Sequence, residues 1–156
     1  MSDRTTVTSG ARTNVQKAAA IVGVVFLLVG VLGFIPGITT NFGDLSFAGH
    51  HSDARLFGLF QVSILHNIVH LLFGVAGLAL ARTIRGAKNY LIGGGVIYLV
   101  LFIYGLAVPQ ESGANFVPLN LADDVLHLLL GVGMVALGAL LTRRPDVAPA
   151  TDVAQA

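Results

Sequence analysis

Two short stretches put groups capable of chemistry into otherwise apolar runs. LHNIVHLLFG, residues 65–74, carries His66, Asn67 and His70, and LADDVLHLLLG, residues 121–131, carries Asp123, Asp124 and His127. Residues four apart share a helical face, so His66 with His70, and Asp123 with His127, each present two donors side by side. Together the four would offer nitrogen and oxygen ligands to zinc or another divalent metal. His70 and His127, each with a glycine four residues later, could instead be axial ligands of haem b in a redox-linked or metal-handling membrane subunit. A proton or solute path is the third reading, disfavoured because the runs turn apolar or small beyond Gly74 and Gly131. The fourth is structural: interhelical hydrogen bonds worth ~0.6–2 kcal/mol, with Asn67 against Asp124, His66 against Asp123, and Asn120 in the same polar cluster, clamp helices together. A divalent metal, haem b and no cofactor at all remain open on the residues alone.

Other candidates carry less. Asn67 follows His66 where a metalloprotease helix would place its general-base glutamate, which argues against that chemistry. His50 and His51 fall in a polar loop, where such residues need no special reason. Three consecutive glycines at 93–95 sit within an apolar run, so they suit close helix packing and not phosphate binding. Gly33 and Gly37 flank Pro36, which marks a helix end. Phe102, Tyr98 and Tyr104 are expected to pack or to sit at an interface. No nucleophile with a partnered base can be identified, and a non-enzymatic protein, such as an accessory subunit, is expected.

The elements that must position these groups follow from composition. Of the 156 residues 54% are apolar and 11% charged, with a mean hydropathy of +0.81; an average soluble protein has about 25% charged residues. Cysteine is absent, which excludes disulfides, thiolate metal sites and covalently attached haem. A net charge of +1 with dispersed basic residues leaves no nucleic-acid footprint, and the expected partner is the lipid bilayer, with a second copy or another membrane protein undetermined. Four apolar runs, at about 18–35, 56–81, 90–108 and 119–141, approach the ~20 residues that span a bilayer. They read as helices because a backbone in lipid must satisfy its own hydrogen bonds. The first run exceeds the 7–15 residues of a secretory signal and is followed by three more, so it is read as a span. The membrane domain then covers residues 16–144, between disordered tails at 1–15 and 145–156.

Eight of the nine basic residues fall on one side of such an arrangement, only Arg55 on the other, which places both termini in the cytoplasm. All five histidines then lie in the outer loops or outer halves of the spans. An internal repeat organises them: HNIVHLLFGVAGLAL, residues 66–80, aligns without gaps to DDVLHLLLGVGMVAL, residues 123–137. Spans one and three match more loosely, each ending near a proline, Pro36 and Pro109. The expected fold is therefore all-α: a multi-pass, four-transmembrane-helix bundle built as a 2+2 tandem hairpin repeat. On a helical projection His66, His70, Gly74 and Gly77 fall within about 80° of one another, as do Asp123, His127, Gly131 and Met134. Both stripes are expected to face inward, with spans two and four facing each other across an outward-opening polar pocket.

The stretches LFGLFQVSILHNIVHLLFGVAGLALAR and ANFVPLNLADDVLHLLLGVGMVALGALL, covering with their surroundings about residues 15–144, resemble a family of bacterial multi-pass proteins known as domain of unknown function 4383. The resemblance implies four membrane spans and no established biochemistry.

Overall fold

A computed structural model describes residues 12–142. Arg4, Arg143, Arg144 and the expected tails, apart from residues 12–15, lie outside the described residues. Four helices account for most of the chain: α1 Asn14–Leu32, α2 Ile64–Leu80, α3 Ile84–Ala107 and α4 Leu121–Leu140. Three of them, α1, α3 and α4, are long and apolar enough to cross a membrane, whereas α2 is apolar but has 17 residues. At 1.5 Å per residue α2 reaches roughly 26 Å, short of the ~30 Å of a typical hydrocarbon core.

Three of the four helices begin where the side chain of the N-cap residue takes up an orphan backbone donor. Ser63 Oγ accepts from His66 N–H at 3.1 Å and opens α2, while Thr83 Oγ1 accepts from Gly86 N–H at 3.0 Å and opens α3. Asn120 Oδ1 accepts from the N–H groups of Ala122 and Asp123 at 2.8 and 3.1 Å, opening α4. Such caps contribute about 0.5–2 kcal/mol each. The helix α3 stops at Ala107 because Val108 precedes Pro109 and is held extended, at φ −102° and ψ 121°.

The start of α2 corrects the sequence reading, in which the second span begins at residue 56. Residues 55–61 instead form the β2–β3 hairpin of a small antiparallel sheet of β1 (Thr39–Thr40), β2 (Arg55–Leu56) and β3 (Phe60–Gln61), in that order. Phe57 and Gly58, at φ 54° and 71°, turn β2 into β3. Two consecutive left-handed residues cannot belong to a right-handed helix. The run LFGLFQ is apolar because the sheet packs Leu56 and Phe60 with Val62, Ala54 and Ile38.

The helices pack as two hairpins, α1 on α2 and α3 on α4, and the hairpins meet chiefly through α1 and α3. This differs from the expectation that spans two and four face each other. The reason lies in the glycines: a Cβ on Gly23 would stand 3.0 Å from Gly74 O and one on Gly74 2.8 Å from Gly23 O. In the second hairpin a Cβ on Gly95 would stand 2.8 Å from Gly131 O, and one on Gly131 3.0 Å from Gly95 O. The small-residue stripes of α2 and α4 are thus used within their own hairpins, where they bring backbones into contact. Between the hairpins lies a core of Phe26, Tyr90, Leu91, Tyr98 and Met134, and residues such as Ile21, Leu72, Val100, Ile103 and Leu129 form the exposed apolar exterior.

Both ends are tied. Gln16 Nε2 donates to Ala81 O and Arg82 O at 3.1 and 2.9 Å, so the start of α1 and the α2–α3 turn share one end. At the other end the two long loops touch, Gly49 N–H donating to Phe116 O at 2.8 Å.

The packing predicts that Gly95→Val, which drives a side chain into the α4 backbone, destabilises by about 1–3 kcal/mol and lowers Tm by roughly 3–10 °C. Gly93→Ala, whose Cβ would meet nothing within 4 Å, should leave Tm unchanged or slightly raised. Thermal unfolding of the two variants in detergent, followed by size-exclusion chromatography, checks the pair.

Candidate functional site

Because Ser63 caps α2, the polar residues of that helix occupy its first two turns and point in two directions. His66 and His70 stack, ring centroids 4.4 Å apart and planes 9° from parallel. His70 Nδ1 lies 3.0 Å from His66 O. A carbonyl only accepts, so Nδ1 carries the proton and Nε2 is left as the acceptor. Tyr98 O–H, 3.4 Å from that Nε2, is the group positioned to donate to it. Asn67 points the other way, toward α1: it is fully buried, and its amide occupies the position a Cβ on Gly33 would need.

The first turns of α4 divide in the same manner. Asp124 is buried against α3, a carboxylate oxygen occupying the place of a Cβ on Gly105. Neither Asn67 Oδ1, Asn67 Nδ2 nor Asp124 Oδ1 has a hydrogen-bond partner, which leaves Cα–H···O approach to the glycine backbone as their local contact. Asp123 serves the loops instead. Its Oδ2 accepts from Gln61 N–H at 3.0 Å and from Asn120 N–H at 3.1 Å, which joins β3 to the cap of α4. Asn120 Nδ2 adds a bond to Leu59 O at 2.9 Å. The pairings of Asn67 with Asp124 and of His66 with Asp123 therefore give way to contacts within each hairpin and with the loops, because each side chain is used by the neighbour that its own helix packs on.

The histidines come together around Tyr98. His127, 3% exposed, lies with its ring 5.1 Å from that of Tyr98, and Phe26 stacks on the other side of Tyr98 at 5.4 Å. His66, His70, Tyr98 and His127 line a cavity of about 250 Å³ together with Phe73 and the loop residues Phe116–Pro118. His127 Nδ1 is buried without a partner.

This geometry bears on the ligand readings. Among the described residues no three or more His, Asp or Glu side chains are grouped as a metal site would need, and Asp123 is held by backbone N–H groups away from the rings. Between His70 and His127 stands the Tyr98 ring, which occupies the path a porphyrin plane would take. The residues present thus do not fit a haem held by that pair. The rings of His50 and His51 lie 3.9 Å apart in the loop, tilted by 40°, and do not line the cavity.

Sequence reading missed three participants: Tyr98, Gly33 and Gly105. Tyr98 is readable only as one aromatic residue among several on α3, and nothing local marks it. The two glycines are visible as small residues, but what each faces depends on how α1 and α3 lie on their partners.

Gly105→Ala should cost about 1–3 kcal/mol through collision with Asp124, and adding Asp124→Ala should recover at least 1 kcal/mol of that loss. A double-mutant cycle read by thermal unfolding measures the coupling.

No curated protein and no solved structure matches the chain. One family model does, over residues 16–140, the extent of the four helices almost to the residue, so the chain belongs to the family described as Domain of unknown function (DUF4383).

Proposed function

We propose that the protein is a non-enzymatic, four-span protein of the bacterial cytoplasmic membrane, built from two repeated hairpins, with both termini in the cytoplasm. Its polar residues divide into two sets. Asn67, Asp123, Asp124 and Asn120 hold the helices and loops, and His66, His70 and His127 serve a ligand site between the hairpins. The observation that carries this reading is that histidines of both hairpins line one cavity with Tyr98.

Matching contacts support the repeat. Gly23 with Gly74 and Gly95 with Gly131, Leu27 on Gly74 and Leu99 on Gly131, and Asn67 on Gly33 and Asp124 on Gly105 follow one constant register. Phe26 meets His70 at 5.6 Å as Tyr98 meets His127 at 5.1 Å. The equivalents Phe26 and Tyr98 stack on each other, as residues beside a two-fold axis do. The bias of basic residues supports the orientation, and the exposed apolar flanks of all four helices support immersion in lipid.

Because the chain has no cysteine, single substitutions report topology directly. Asp44→Cys and Glu111→Cys, both at exposed positions, should react with an impermeant maleimide on intact cells, and Arg85→Cys only after permeabilisation. Labelling of Arg85→Cys from outside would reverse the orientation.

Stability separates ligand groups from clamps. Asp123→Ala removes two backbone hydrogen bonds and should lower Tm by roughly 3–10 °C, whereas His66→Ala and His127→Ala should each shift it by no more than about 2 °C. Equal losses in all three would make the histidines clamps and remove the ligand site.

A further inference from the structure

We infer that the cavity between the hairpins binds the ring of a lipid-dissolved quinone or phenol, a neutral planar head group with a carbonyl or hydroxyl, admitted sideways from the bilayer between α2 and α3. The inference rests on the ligand-site reading above and adds the class of ligand and its route.

The route follows from exposure. The cavity extends from buried His127 to Val69 and Ile97, which are 41% and 48% exposed on the apolar exterior. The helices that carry these two residues pack only lightly on each other, each being committed to its own hairpin partner. An opening on that face leads to hydrocarbon and not to water, so the molecule that enters is already dissolved in lipid.

The class follows from the walls. No Lys or Arg lines the cavity, which disfavours a phosphate or carboxylate head group, since a buried anion needs a partner charge. The polar groups are imidazoles, one phenol and the Ser63 hydroxyl, whose oxygen already accepts from His66 N–H. Tyr98 donates to His70, leaving the phenol oxygen's lone pairs, the His66 ring and the unpartnered His127 to meet a neutral donor or acceptor. Flat faces are also present beside the aliphatic lining: Phe73, Phe116, Tyr98 and the stacked pair His66/His70 suit a planar ring. A volume of about 250 Å³ lies below the ~300–1,000 Å³ of sites that enclose a whole drug-sized ligand. It accommodates a head group whose tail stays in the bilayer.

The test uses the full chain in phosphatidylethanolamine/phosphatidylglycerol nanodiscs, photolabelled with an azido-benzoquinone bearing a decyl tail and mapped by mass spectrometry. Adducts are expected within residues 65–73, 97–101 and 116–118, competed by unlabelled decyl-benzoquinone and not by decane or decanoate. Val69→Trp and Ile97→Trp, which narrow the opening, and His127→Ala, which removes a polar contact, should each lower the yield at least fivefold while eluting as the wild type does. Adducts spread equally over Leu72, Val100 and Leu129, or a yield unchanged in every variant, would overturn the inference. Competition by decanoate alone would reject the ring class and leave the ligand site standing. Loss of labelling only in variants with the lowered Tm of a clamp residue would reject the site and the ligand together.

Discussion

Backbone contact between glycines is the constraint on which the rest of this molecule depends. Lipid tails are as apolar as leucine, so helices in a bilayer gain little from hiding apolar side chains and associate where their surfaces fit closely. Here the close fit is within each hairpin, Gly23 on Gly74 and Gly95 on Gly131. With those faces used, the imidazoles of α2 and α4 are left to the seam between hairpins. The same pairing sends Asn67 and Asp124 onto Gly33 and Gly105, within their own hairpins.

The two uses of polarity at the loop end differ in kind. Asp123 works as a hub, receiving N–H groups from a strand and from its own helix cap, and so fixes the loops over the helix ends. The histidines make few bonds to the rest of the protein: His70 engages one carbonyl and one phenol, and His127 Nδ1 engages nothing. Buried polar groups are ordinarily satisfied. Asn67 and Asp124 also lack partners but are packed onto glycines, whereas His127 belongs to a residue set that lines a cavity.

Much of this was legible in the sequence. Hydropathy located four apolar helices, and the spacing of His66 with His70 placed them on one face, as their stacking shows. Asn120 and Asp123, singled out in the sequence only as polar-cluster and ligand candidates, close a capping box at the start of α4 instead. The beginning of α2 was not legible, because LFGLFQ has the hydropathy of a membrane helix and only the left-handed Phe57 and Gly58 reveal a turn. Nor was the direction of the glycine stripes. A helical projection gives the face on which Gly74 and Gly77 lie, but not whether α1 or α4 covers it. Tyr98 escaped for the same reason, since its meaning lies in two helices distant in sequence that bring histidines to it.

The shortness of α2 has a mechanical consequence. At 17 residues it matches roughly 26 Å of hydrocarbon, whereas α3, at 24, matches roughly 36 Å. In the four-span arrangement proposed above, no flat bilayer would suit both helices, so the leaflet would be pinched beside α2 and α3 would lean or protrude, at a cost of fractions of a kcal/mol per ångström. The greatest distortion would then fall where these helices adjoin, the flank that carries Val69 and Ile97. In that arrangement membrane thickness would act on the mouth of the proposed ligand site, and the lipid composition of the host would tune how readily that mouth is reached.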